Sequence, residues 1–164
     1  MKDVPDFPKP GIIFKDITPI LENAEAYRTL IEAMASSISE FKPHKIAAIE
    51  ARGFILGAPI AYFLGCGLVM VRKKGKLPRK TRSARYDLEY GFDHLEIHED
   101  SLAVGERVVL LDDVLATGGT LAATRALCEE AKAEVVGAQV LMELGFLKGR
   151  QKLSNLDVRS LIGR

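Results

Sequence analysis

Only two cysteines occur in the 164 residues. Cys66 and Cys128 lie far apart and match no metal or redox spacing, so both are expected as small buried side chains. Net charge is equally scarce. Lys and Arg number 23 against 22 Asp and Glu, a balance of +1. That leaves no overall field to favour nucleic acid or a membrane surface. Residues 1–10 contain no apolar segment, which argues against a signal peptide and makes the cytoplasm the expected location. No G-x-x-x-x-G-K-[ST] loop is present, so a Walker-type nucleotide site is excluded. Gly65 and Gly67 do not start a dinucleotide fingerprint, because Met70 holds the third glycine position. Neither an internal repeat nor a low-complexity linker is found. The longest uncharged run, residues 53–71, is broken by Gly53, Gly57, Pro59, Gly65 and Gly67. A helix, a turn and a buried strand account for it better than a membrane span.

What remains is ordinary globular material. The composition is 48% hydrophobic and 27% charged, and the length suits one domain, residues 1–164, with a substantial core. Residues 5–11 read as a rigid extended lead-in to Ile12, Ile13 and Phe14, which either enter the core or line a pocket. Tyr27, Leu30, Ile31, Met34, Ile38 and Phe41 recur at helical spacing and predict a helix over 25–41 that Pro43 ends. Strands are expected at 45–49, 68–71, 107–111 and 135–142, and helices at 54–64 and 120–131. The strands are apolar along their length, as in a sheet covered on both faces. Alternating strands and helices predict an α/β fold with a mostly parallel central sheet flanked by helices.

Residues 72–100 fit this pattern least. Eight of the fourteen residues 72–85 are Lys or Arg and none is acidic, whereas 86–100 hold six acids and no Lys or Arg. So polarised a block is a poor core element and is expected as a flexible flap or hairpin over the carboxyl edge of the sheet. Without interleaved aromatics it is a weak nucleic-acid patch. His94 and His98 share a strand face with Glu96, but no further ligands support zinc and all three are expected in solvent. His44, beyond Pro43, needs no function.

The strongest chemical signal is VVLLDDVLATGGT, residues 108–120. A buried strand delivers Asp112 and Asp113 at its carboxyl end, and a Gly-Gly turn opens a helix at Thr120. Open α/β sheets bind ligands at that edge. A helix start offers unpaired N–H groups and the positive end of the dipole. Thr117 and Thr120 add hydroxyls, while Gly118 and Gly119 let the backbone close around a phosphate. The carboxylates could hold vicinal sugar hydroxyls. The bland alternative is a plain helix cap.

This segment resembles the phosphoribosyl pyrophosphate signature of type I phosphoribosyltransferases. PKPGIIFKDITP (8–19), EARGF (50–54), RKKGKLP (72–78), LEYG (88–91) and LEIH (95–98) resemble, in the same order, those of the adenine phosphoribosyltransferases. The similarity spans nearly the whole chain. It implies that adenine and phosphoribosyl pyrophosphate give AMP and pyrophosphate, with Mg²⁺, in purine salvage, and that the protein is a homodimer. It also implies roles. Ala116, Thr117, Gly118, Gly119 and Thr120 hold the 5′-phosphate, and Asp112 and Asp113 the ribose hydroxyls. Arg72, Lys73 and Lys76 meet the leaving pyrophosphate, together with the backbone around Ala51 and Arg52. Phe14 packs on adenine while the Ile13 and Arg52 backbones read its edge. Glu89 is the catalytic residue that manages a proton on the base. The resemblance supplies no protein ligand for the metal, which substrate oxygens can hold. Lys15 stands where arginine is also common, and Phe92 where a smaller residue is usual. Two alternatives stay open: a related transferase for another base, and a non-catalytic sensor of phosphoribosyl pyrophosphate.

Overall fold

A computed structural model of the chain describes residues 1–7, 9–11, 13–87 and 91–163. Backbone packing divides it into two compact units, residues 1–33 and 34–164.

In the first unit, strands β1 (Lys2–Pro5) and β2 (Ile13–Asp16) pair antiparallel, with Val4 opposite Phe14. The lead-in is thus partly a ladder. Lys15 Nζ lies 2.5 Å from Asp3 Oδ1, and the Phe7 and Phe14 rings meet edge to face at 5.2 Å. A one-turn helix α1 (Thr18–Leu21) follows. Asp16, one residue before the N-cap Ile17, accepts the Thr18 N–H at 2.9 Å and the Thr18 hydroxyl at 2.8 Å. Asn23 then caps helix α2 (Ala24–Ser39), accepting the Ala26 N–H at 2.9 Å.

The second unit holds strands β3 (Lys45–Ile49), β4 (Gly67–Lys73), β5 (Thr81–Asp87), β6 (Phe92–His98), β7 (Arg107–Leu115), β8 (Glu134–Glu143) and β9 (Val158–Gly163). They form one sheet in the order β5-β6-β4-β3-β7-β8-β9. The run from β4 to β9 is parallel, and the β5–β6 hairpin is added antiparallel to β4. Helix α3 (Arg52–Leu64) connects β3 to β4, and α4 (Gly119–Glu130) connects β7 to β8. The two crossovers lead in opposite directions from the centre, so right-handed connections put α3 and α4 on opposite faces. The α/β sheet flanked by helices expected from the sequence is the fold observed.

The order of strands reverses between β3 and β7, which makes their carboxyl ends the ligand-binding crevice of such a sheet. Two glycines four residues apart set the approach of α3 to that point. A side-chain carbon on Gly57 would lie 2.7 Å from Ala48 Cβ, and one on Gly53 3.2 Å from the Leu111 carbonyl oxygen. With no side chains there, the start of α3 lies directly against β7.

The polarised block does form a hairpin, but it also feeds the core. Tyr86, Leu95 and Ile97 are buried. Glu96, expected in solvent, is buried too and accepts the Gly75 N–H at 3.0 Å. β4 pairs with β6 only through Arg72–Glu96 and Lys73–Leu95, so the first residues of β6 run past the carboxyl end of β4, roughly 10 Å for three residues. Two further differences concern length. β7 continues through both aspartates to Leu115, beyond the expected 111. β9 had no counterpart in the sequence reading, because VRSLIG mixes charged and apolar residues on a sheet edge. The run at 53–71 is a helix, a turn and a strand, and no helix among the described residues is long and apolar enough to cross a membrane. Cys128 is buried as expected; Cys66 is half-buried.

Gly57→Ala tests the α3 spacing. Its gain in helix propensity is at most about 1 kcal/mol, whereas forcing a methyl against Ala48 costs about 1–3 kcal/mol. The variant should therefore be less stable, with Tm lowered by a few degrees in calorimetry. A raised Tm would mean that α3 shifts without cost.

Candidate active site

Asp112 and Asp113 lie near the end of β7, both buried. Asp112 Oδ1 accepts the Asp113 N–H at 2.9 Å, and the Thr120 hydroxyl reaches its Oδ2 at 3.4 Å. Asp113 is matched by Arg52, the first residue of α3, whose Nε lies 2.6 Å from Asp113 Oδ2. This is an ion pair rather than an aligned hydrogen bond, since that oxygen accepts none. Among the described residues no cation forms an ion pair with Asp112. Burial, and then the charge of Asp113, push its carboxyl well above the usual carboxylate range.

Directly after β7 the chain turns through Ala116, Thr117 and Gly118 into α4. Gly118 is left-handed at φ +78° and is the N-cap, with no side-chain capping bond. The first intrahelical acceptor is its carbonyl, which takes the Ala122 N–H at 3.0 Å. The N–H groups of Gly119, Thr120 and Leu121 therefore have no acceptor inside the helix. With the positive dipole end and the Thr117 and Thr120 hydroxyls, they make an anion cradle.

A cationic turn sits at the end of β4, beside β3. Arg72 Nε donates to Glu50 Oε2 at 3.0 Å, and Lys76 Nζ to Glu50 Oε1 at 2.7 Å. Arg72 also donates to the Lys76 carbonyl at 2.9 Å. Burial alone would raise the Glu50 carboxyl, but the bonds from Lys76 and Arg72 outweigh it and hold it below the ordinary range. Lys73 turns away to Asp93, 3.1 Å distant. The peptide between Glu50 and Ala51 is cis.

The structure thus brings together Arg52, Asp112, Asp113 and the 116–120 turn, and gathers Arg72 and Lys76 around Glu50. Lys73 is not part of that pair. Ile13, exposed, and Phe14, half-buried, belong to the first unit. Glu89 lies outside the described residues. Glu50 is the residue that sequence reasoning passed over. It stands in the EARGF segment, but its partners come from β4 and the turn after it, which spacing does not reveal. Among the described residues no group of three or more His, Cys, Asp or Glu is placed to hold a metal.

Comparison with known proteins gives the family. A family model described as "Phosphoribosyl transferase domain" matches residues 16–160. The chain is 54% identical to an adenine phosphoribosyltransferase of Carboxydothermus hydrogenoformans, over 98% of this chain and 94% of that protein. It is similar to the crystal structure of adenine phosphoribosyltransferase from Thermoanaerobacter pseudethanolicus, with TM-score 0.97, 53% identity and coverage of 99% and 95%. It also resembles the Saccharomyces cerevisiae enzyme complexed with D-2,5-dideoxy-2,5-imino-altritol 1,6-bisphosphate and adenine. That match has TM-score 0.92 and 41% identity, covering 98% and 93%.

Asp112 provides a pH test. Its pKa is raised on folding, so the native state binds the extra proton and stability falls as pH rises above the unfolded carboxylate value of about 4. Asp112→Asn mimics the protonated form. It should raise stability at pH 7 by about 0.5–2 kcal/mol, the usual yield of relieving such a site. The gain should vanish as pH drops through the carboxylate range. Thermal melts between these limits check both parts, and a destabilised variant at pH 7 would contradict the burial argument.

Proposed function

The chain belongs to the phosphoribosyl transferase family, and we propose that it catalyses transfer of the phosphoribosyl group of phosphoribosyl pyrophosphate to adenine, giving AMP and pyrophosphate. The observation that carries this reading is one strand–turn–helix, residues 108–120, that joins two buried carboxylates to an uncapped helix start at the sheet's switch point. Phosphate and ribose recognition then fall on neighbouring residues. The choice of adenine rests on relatives named for that activity, at half or more identity over nearly their whole length.

In the proposed reaction the N–H groups and hydroxyls of residues 116–120 donate to the 5′-phosphate. Asp112 and Asp113 accept hydrogen bonds from the ribose hydroxyls. The bond from the anomeric carbon to the pyrophosphate oxygen breaks as the bond to the adenine nitrogen forms, and the base gives up the proton on that nitrogen. Charge develops at both ends of the breaking bond. Arg72 and Lys76, with Lys73, meet the pyrophosphate. Phe14 supplies an aromatic face for adenine, and the Ile13 and Arg52 backbones read its edge. The β5–β6 hairpin, standing past the sheet's carboxyl edge, is the element suited to exclude water from a cation that water would destroy. Glu89 takes the proton of the base.

Mg²⁺ is proposed to arrive with the substrate. Substrate oxygens and water would hold it. When bound it neutralises charge on the departing diphosphate. A homodimer is supported by the apolar surface of Tyr62 and Phe63 on α3 with Leu68 and Met70 on β4, all exposed in the single chain. One phosphoribosyltransferase domain over residues 1–164, working in purine salvage in the cytoplasm, completes the proposal.

Chromatography of reactions with phosphoribosyl pyrophosphate, Mg²⁺ and each of adenine, hypoxanthine, guanine and orotate should yield AMP from adenine and no product from the others. A different base turned over would keep the phosphate and ribose site and overturn the base. Binding without any turnover would favour a sensor. Glu89→Ala should lower kcat by about 10²–10⁴, the usual size of proton-transfer catalysis, and leave the affinity for phosphoribosyl pyrophosphate nearly unchanged. An effect confined to that affinity would remove Glu89 from its role.

A further inference from the structure

The anion cradle is braced from behind by a later part of the chain. After β8 come two short 3-10 turns, Gly145–Leu147 and Gly149–Leu153. Gly149 is buried, and its backbone lies directly against the 116–118 turn. A side-chain carbon on Gly149 would collide with the Ala116 carbonyl oxygen, and would lie 2.8 Å from Leu115 Cδ1 and 3.0 Å from the Gly118 nitrogen. A side chain on Gly118 would collide in turn with the Gly149 carbonyl oxygen. Gly149 is not among the residues with positive φ. The glycine is therefore demanded by space, not by torsion.

This brace is itself anchored. Arg150 Nε donates to both carboxylate oxygens of Glu143, at 2.7 and 2.8 Å. Glu143 ends β8 and pairs in register with Leu115, the last residue of β7. The Leu144 N–H reaches the Leu115 carbonyl at 2.9 Å. Arg125 on α4 donates to the Ser154 carbonyl at 3.0 Å, tying the far side of the segment to the helix. The turn it supports has no capping side chain of its own, so the direction of its N–H groups depends on what backs it.

We propose that Gly149, held in place by the Arg150–Glu143 pair, is a positioning residue for the transfer reaction. It fixes residues 116–119 in the conformation whose N–H groups receive the 5′-phosphate. The proposal rests on assigning that phosphate to the 116–120 turn. Misplacing a binding backbone by an ångström costs up to about a hundredfold, so a methyl at Gly149 should be felt at the phosphate although it touches no substrate.

Calorimetric titration of the full-length enzyme with AMP, and separately with pyrophosphate, tests this alongside steady-state kinetics. Gly149→Ala should weaken AMP binding and raise KM for phosphoribosyl pyrophosphate about 10- to 100-fold. Pyrophosphate, which carries no 5′-phosphate, should bind within about a factor of two of the unsubstituted enzyme, as expected for an independent subsite. Arg150→Met, which keeps the stem and loses the anchor, should move AMP binding the same way by about 3- to 10-fold. Equal weakening of both ligands would mean general destabilisation and overturns the proposal. Should Gly149→Ala fail to fold, unchanged AMP affinity in Arg150→Met overturns it alone. Thr117→Ala separates the two levels. If it weakens AMP while Gly149→Ala does not, the brace is wrong and the phosphate assignment stands; if neither matters, the assignment falls.

Discussion

Two aspartates side by side in the interior are the constraint around which the second unit is arranged. Removing two carboxylates from water, next to each other, opposes folding unless neighbours compensate. Asp113 has Arg52. Asp112 has a backbone N–H and a distant hydroxyl, and answers by favouring its proton. Arg52 can reach because α3 begins against β7, and α3 can begin there because Gly53 and Gly57 carry no side chains. The reversal of strand order between β3 and β7 places the carboxyl ends of these two strands side by side. Backbone topology, two missing side chains and one guanidinium thus make a single arrangement.

The cations follow the same logic with signs reversed. Arg72 and Lys76 would repel one another and wander if left alone in an empty site. Glu50 neutralises one charge and orders both side chains before any ligand arrives. In the proposed reaction a substrate diphosphate, which carries more charge than one carboxylate, would still draw the pair. The cations stay partly exposed, so the desolvation cost falls mainly on the Glu50 carboxylate. Ordering the groups beforehand leaves less entropy to lose when substrate binds.

How much of this was legible depended on whether a feature is local. Apolar strands such as 45–49 and 107–111 announce themselves, because a parallel sheet covered on both faces leaves no polar positions. The aspartates, threonines and glycines of 112–120 act within one turn and were found together. Glu50 was not, since its meaning comes from Arg72 and Lys76 across a helix and a strand. Gly149 was not, since a glycine required by a neighbour's backbone looks like any other glycine. β9 escaped because an edge strand alternates weakly, and β1 because four residues with two charges make no pattern.

The hairpin is the instructive case, because its charge pattern was visible and its consequence was misjudged. Segregated charge in sequence suggested a segment avoiding the core. Folded back on itself, the basic stretch meets the acidic one: Lys73 with Asp93, the Gly75 N–H with Glu96, and Arg79 with Asp100. Arg85 lies over the Phe92 ring at 4.0 Å and Arg82 reaches Glu130 on α4. Exposed ion pairs contribute about 0–1 kcal/mol each, too little to hold a hairpin to a sheet. Burying Leu95 and Ile97 contributes about 1.5–3 kcal/mol apiece. The apolar residues therefore dock the strands, and the charges set which residue faces which. Cations occupied in this way are matched within the fold, which is how so basic a stretch can sit in a protein of nearly zero net charge.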